Sequence, residues 1–226
     1  MRVIFNEELK AVADDLDHMV KGVRKAINGA GDALLNQNLE AAQAVIDGDI
    51  EIDALEASVV DQCVKLLAKQ NPVATDLRVV VSTMRLATTF ERMGDLARHI
   101  AEAARRTYPA SPLPAEAQPL FAEMQAFLND VADQTVAMLS DRDTKTAEQI
   151  NINDDKLDEL HKKTFELAQS EDWTGTNQQL IDVVLIGRFM ERLGDHAVSA
   201  ARRVVYIVSG FDPTKEPTRD EGTDIA

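Results

Sequence analysis

Four acidic pairs, each spaced i,i+4, are the residues of this sequence best placed to do chemistry: Asp49 with Asp53, Glu91 with Asp95, Asp154 with Asp158, and Glu191 with Asp195. Residues four apart share a helix face, so both carboxylates of a pair can aim at one point. Two pairs sit in a repeated string, Glu91-Arg92-Met93-Gly94-Asp95 and Glu191-Arg192-Leu193-Gly194-Asp195. The ordinary alternative for any one pair is solvated surface, because such spacings arise by chance in an acidic chain. Like charges at this spacing even cost roughly 0.2–0.5 kcal/mol. Recurrence at matching places favours a site, as does position: Glu91 adjoins the apolar Phe90, and Glu191 adjoins Met190. If the helices that bear the pairs are antiparallel neighbours, four carboxylates meet in each half of the chain. Such a cluster cannot stay ionised unaided; it takes up protons or binds cations. All-oxygen ligands select hard cations such as Mg²⁺, Ca²⁺, Mn²⁺ and Fe³⁺ over structural zinc or Cu(I).

The residues between the acids fit this picture. A glycine inside a helix costs ~1 kcal/mol relative to alanine, yet both copies keep one, Gly94 and Gly194. The missing side chain permits a close helix crossing or leaves room beside the acids. Arg92 and Arg192 can each bond a carboxylate or an incoming oxyanion, a surface ion pair being the commoner fate. Carboxylates in a helix bundle also suggest a di-iron oxidase, but those sites need Glu-x-x-His on two helices. No Glu-x-x-His occurs; Asp15 with His18 and Asp158 with His161 give Asp-x-x-His, and only the latter touches a repeated pair. His196 follows Asp195 and points about 100° away from it, which predicts a surface residue. Cys63, the single cysteine, excludes a disulfide framework and reads as a buried inert thiol. There is no glycine-rich phosphate loop, serine triad pattern or catalytic cysteine context.

The elements that must position these groups are helices. The apolar content is mostly Ala, Leu, Val and Ile, aromatics are 4%, and long stretches lack proline. The pattern predicts helices near 6–35, 38–70, 73–107, 116–140, 143–171 and 177–209, with Asn38 as an N-cap, Pro72 at a first helical position, and a capping box of Thr176 with Gln179. In the third helix the apolar seam reads Val79, Thr83, Leu86, Phe90, Met93, Ala97, Ile100, Ala104. In the sixth it reads Val183, Ile186, Met190, Leu193, Ala197, Ala200, Val204. Adding 100 carries the first seam from Thr83 onward onto the second. An offset of 105 lays Asp49 on Asp154, Ile52 on Leu157 and Asp53 on Asp158. The chain is therefore a duplicated three-helix unit. The expected fold is all-α, two pseudo-symmetric antiparallel three-helix bundles, with residues 1–107 in the first, 108–115 as linker, 116–210 in the second and 211–226 as a mobile tail.

Charge narrows the partners. Lys plus Arg number 24 against 39 Asp plus Glu, a formal net charge of −15, which argues against nucleic acid or anionic lipid as a main partner. The polar start and the lack of a run of ~18 apolar residues predict a cytoplasmic protein.

The strings "DGDIEIDALE", "QNPVATDLR", "FERMGDLARHIAE" and "GRFMERLGDHAVSAARRVVYIVSG" resemble the PhoU family, regulators of bacterial phosphate uptake, over nearly the whole chain except the tail. The linker "RRTYPASPLP" looks like the actinobacterial branch. The resemblance implies two pseudo-symmetric three-helix bundles. It implies iron or other metal clusters (Mg, Mn, Ca or Zn) on the motifs that map to Asp49/Asp53, Glu91/Asp95, Asp154/Asp158 and Glu191/Asp195. It implies a non-catalytic role, negative control of the phosphate ABC transporter through its ATPase subunit and of the phosphate-sensing histidine kinase when phosphate is plentiful, and commonly a homodimer. Arg78, in the "ATDLR" run that the second half lacks, is with Arg92 and Arg192 a candidate for partner binding. The rival reading from another class is a carboxylate-bridged metal oxidase or hydrolase; a third is a metal-free helical scaffold.

Overall fold

A computed structural model describes the backbone of residues 2–152, 154–171 and 173–210, and the side chains of these apart from residues 2, 3 and 154. The described residues form helices without a strand: α1 (Arg2–Asn36), α2 (Leu39–Gln70), α3 (Ala74–Thr107), α4 (Gln118–Asp141), α5 (Thr144–Ile152), α6 (Asp154–Ala168) and α7 (Asn177–Ser209). The predicted fifth helix corresponds to α5 and α6, on either side of Asn153, and it ends three residues earlier than expected. The expected tail at 211–226 lies outside the described residues.

Local chemistry sets the ends. The Asn38 side chain accepts from the Ala41 amide at 3.1 Å and starts α2. Its repeat equivalent Asp143 accepts from the Lys145 amide at 2.9 Å and from the Thr146 hydroxyl at 2.8 Å, starting α5. Thr176 and Gln179 close the predicted capping box on α7. Pro72 is not in the first turn: Asn71 turns left-handed, Val73 is extended, and α3 begins at Ala74.

The seam residues are buried as the 3.6-residue period requires, Val79 alone being half-buried. Helices α1, α2 and α3 pack on one another, as do α4, α5/α6 and α7. The halves are not separate bodies: α3 lies along α7, and α1 along α4. Along the α3–α7 seam Arg78 reaches Ile207, His99 reaches Phe189 and Arg106 reaches Asp182, so the two helices run antiparallel. The connection after α3 is packed rather than free, with Pro112, Leu113 and Pro114 buried.

Candidate cation-binding carboxylate clusters

Close helix crossings bring the acids together, and the two glycines make the crossings possible. A Cβ on Gly94 would stand 3.1 Å from Ile52 Cδ1 and 3.2 Å from Asp49 Oδ1, both on α2. A Cβ on Gly194 would stand 2.7 Å from Leu157 Cδ2 on α6. Ile52 and Leu157 are the residues that the 105 offset pairs, so the same crossing is built twice. At Gly94 the vacated space also accommodates a carboxylate oxygen.

In the first half Asp49 is buried, Glu91 and Asp95 are half-buried, and Asp53 is exposed. Arg98 lies among them. Its Nε donates to Asp49 Oδ2 at 2.6 Å, and its two terminal nitrogens donate to Asp95 Oδ1 and Glu102 Oε1, each at 2.8 Å. Arg92 bridges Glu91 Oε2 at 3.4 Å and Asp95 Oδ2 at 3.2 Å. The other Asp49 oxygen, Oδ1, is buried without a hydrogen-bond partner. Burial raises the Asp49 pKa, Arg98 opposes the rise, and Asp53 and Asp95 add to it. Burial likewise raises Glu91, against the pull of Arg92 and with the push of Asp95, Asp53 and Glu56. Asp53 and Asp95 thus lie within electrostatic reach of both Asp49 and Glu91.

In the second half Glu191 is buried at 8% exposure. Its Oε1 accepts from Arg188, while its Oε2 is buried without a partner. Asp158 and Asp195 are exposed but raise the Glu191 pKa, which burial raises most of all. His161 joins this group. Burial, then Arg188, lower its pKa, Asp158 and Asp195 oppose that, and its Nε2 is buried without a partner. The Asp154 side chain lies outside the described residues.

Among the described residues no three His, Cys, Asp or Glu side chains converge to the spacing of a metal site in this conformation. The donor sets nevertheless fit a hard cation in type, since each half offers clustered carboxylates and a buried carboxylate oxygen with nothing to bond. The remaining expectations fare unevenly. Arg92 and Arg192 are exposed. Arg78 is half-buried against α7, donating to the Ile207 carbonyl at 3.2 Å and lying over the Tyr206 ring. His196 is not the surface residue its position suggested: it is half-buried, and burial, Arg192 and Arg92 together lower its pKa. Arg98 and Arg188 escaped the sequence reading. The signal for Arg98 was present in its spacing, three residues after Asp95 and four before Glu102.

A family profile described as PhoU domain matches residues 16–104 and again residues 121–204. The chain belongs to the PhoU family. Among its relatives, "Phosphate-specific transport system accessory protein PhoU homolog 1" of Mycobacterium tuberculosis is 36% identical over 216 residues, covering 96% of this chain and 98% of the relative. "Phosphate-specific transport system accessory protein PhoU homolog 2" of the same organism is 36% identical over 213 residues, covering 94% and 100%. The crystal structure of PhoU from Pseudomonas aeruginosa superposes with a TM-score of 0.83 at 26% identity, covering 92% of this chain and all of that one. The double profile match agrees with the doubled crossing described above, and the PhoU fold is the helical bundle seen here.

Proposed function

We propose that this PhoU-family protein is a cytoplasmic, non-enzymatic regulator of phosphate homeostasis. It holds down the phosphate ABC transporter and the phosphate-sensing histidine kinase when phosphate is abundant. The naming of relatives 36% identical over 96% of the chain as accessory proteins of phosphate-specific transport is the observation that carries the reading. Among the described residues no helix is long and apolar enough to cross a membrane, which suits a protein that meets the transporter through its ATPase subunit. The net charge of −15 suits a protein surface rather than nucleic acid. Docking would use the exposed face bearing Arg92 and Arg192, in a homodimer. Arg78, occupied with α7, would shape that surface rather than touch the partner.

Within this reading the carboxylate clusters are cation sites. Asp49, Asp53, Glu91 and Asp95 in one half, and Asp154, Asp158, Glu191 and Asp195 in the other, would hold iron or another metal ion. A bound cation supplies positive charge that lets neighbouring carboxylates remain ionised together. The protein's own part is to bring α2 onto α3 and α6 onto α7 closely enough for that charge to be shared.

Deletion of the gene tests the regulatory role. Phosphate uptake and expression of phosphate-starvation genes should rise in medium rich in phosphate, and pull-downs with the purified chain should retain the ATPase subunit or the kinase. Uptake and expression unchanged by the deletion at high phosphate would overturn the reading.

A further inference from the structure

Two depressions lie along the seam between α3 and α7, and the internal repeat makes them equivalents. One is lined by His99 and Ala103 of α3 with Leu185 and Phe189 of α7. Shifted by 100, these four positions become Ser199, Arg203, Arg85 and Thr89, which line the other. The first closes largely on itself. The His99 and Phe189 rings stand 5.3 Å apart, Arg106 of α3 ion-pairs with Asp182 of α7, and the cavity left is about 200 Å³. The second puts two guanidiniums where the first has Leu185 and Ala103, and its cavity is about 530 Å³.

Neither helix supplies a carboxylate to these guanidiniums. α3 has no acid between Asp76 and Glu91, and α7 has none after Asp195. Among the described residues neither Arg85 nor Arg203 forms an ion pair, although the chain as a whole carries a formal charge of −15. Arg203 is half-buried and lies over the Tyr206 ring, 5.7 Å from its centroid, which holds the guanidinium in place. The Thr89 hydroxyl is spent on the Arg85 carbonyl at 2.9 Å, whereas the exposed Ser199 hydroxyl has no hydrogen-bond partner among the described residues. The acid on the wall is Glu56 of α2, whose Oε1 accepts from Thr88 at 3.1 Å.

Two like charges lining one cavity repel until an anion enters. A carboxylate offers one charge and two oxygens, enough for a single guanidinium fork. A phosphoryl group offers up to two charges and three or more acceptor oxygens, enough for both. Glu56 adds a filter: hydrogen phosphate can donate its proton to this carboxylate, while sulfate has no proton to give and meets only repulsion there.

We propose that this depression is a site for phosphoryl oxygens, with Arg85 and Arg203 as its clamps, Ser199 as a further donor and Glu56 as acceptor of the anion's proton. The bound anion joins α3 to α7, and hence one half to the other, toward the end of the seam opposite the Arg106–Asp182 pair. Free orthophosphate and the end of a phosphate chain share this chemistry. The inference goes beyond the regulatory reading and uses neither its partners nor the acid clusters, so it can fail while that reading stands.

The experiment is calorimetry on the full chain at constant ionic strength, with orthophosphate, pyrophosphate and sulfate as probes and the melting temperature as second readout. Wild-type protein should bind one of the phosphates at a single site, about tenfold more tightly than sulfate, and should melt higher in its presence. Arg85→Gln and Arg203→Gln should each weaken binding about tenfold and shrink the rise in melting temperature. Arg105→Gln, on α3 but directed at Gln43 outside the cavity, should change neither. Glu56→Gln should narrow the preference for phosphate over sulfate. Circular dichroism of each variant separates lost binding from lost folding. Tighter binding of pyrophosphate than of orthophosphate assigns a phosphate chain to the site; otherwise the free ion is its ligand. Sulfate bound as tightly as phosphate by wild type, or equal weakening by Arg105→Gln, would show diffuse attraction alone and overturn the proposal. Wild-type protein that binds none of the three anions overturns it too, and leaves the unpaired arginines to an acidic partner surface.

Discussion

Cys63 has no exposed surface, and burial pushes its thiol pKa up to about 11 from an ordinary value near 9.0. A neutral, enclosed thiol is a poor nucleophile, so an aromatic disulfide reagent should label it at neutral pH only once the chain unfolds. The linkage follows in sign. Between pH 9 and about 11 the folded protein keeps a proton that the unfolded chain has released. Stability contributed by this group is thus complete below pH 9 and falls as the pH rises through that window, by about 1 kcal/mol near pH 10. Urea denaturation of wild type and Cys63→Ala at pH 8 and pH 10 checks it: the variant should lose less stability between the two. Equal losses would show that Cys63 contributes nothing to the alkaline limb. Among side chains, those legible in the sequence were the ones with a repeat to betray them. Gly94 and Gly194 recur, and so do the acids. Arg98 has no counterpart, since Val198 stands at the matching position. Its role depends on Asp49 of α2, 49 residues away in sequence, and no local spacing announces that contact. His196 was misjudged for the same reason, because Arg92 and the burial around it come from the packing of α7 on α3.

At the scale of elements the caps are the most readable feature, because a cap is a local exchange between a side chain and amides that the helix itself leaves unbonded. Thr176 shows this most fully. Its hydroxyl accepts from the Gln179 amide at 3.2 Å, and its own amide donates to the Gln179 side chain at 3.0 Å. Thr176→Ala should cost about 1 kcal/mol in urea denaturation, and Thr176→Ser should restore nearly all of it. Hydrogen exchange should quicken at the first amides of α7 in the alanine variant and not at α3. A stability loss without faster exchange in that turn would place the effect elsewhere. The start of α3 was misread because Pro72 suits either a first helical turn or the connection before it. The left-handed Asn71 and the extended Val73 decide the matter, and neither is marked by residue type alone. The 3.6-residue period in turn fixed which face of α3 and α7 would be buried, but not what would cover the flanks of that face.

For the whole molecule the internal repeat announces two similar halves and is silent on how they join. Much of the joining is done by residues that break the repeat. Asp182 of α7 is 2% exposed and accepts from Arg106 of α3 and, at 3.1 Å, from Gln178. The matching pair would be Ser82 with Tyr206, which carries no charge. The bridge between halves is consequently one-sided. Its second oxygen, Asp182 Oδ2, is buried with no hydrogen bond, so the carboxylate depends on Arg106 for much of its compensation. Removing one partner of a buried pair strands the other, which is far more damaging than removing both. Full burial of both charges would set the loss near 3–5 kcal/mol. Here Arg106 is 55% exposed and Gln178 still donates, so Arg106→Met should cost about 2 kcal/mol. The double variant Arg106→Met with Asp182→Leu leaves no orphaned charge and should recover at least half of that loss. A double-mutant cycle completed with Asp182→Leu alone, read by urea denaturation, gives the coupling directly. If Arg106→Met is as stable as wild type, Asp182 is satisfied without the first half, and the seam between α3 and α7 must be held by apolar packing around Phe189 and His99 instead.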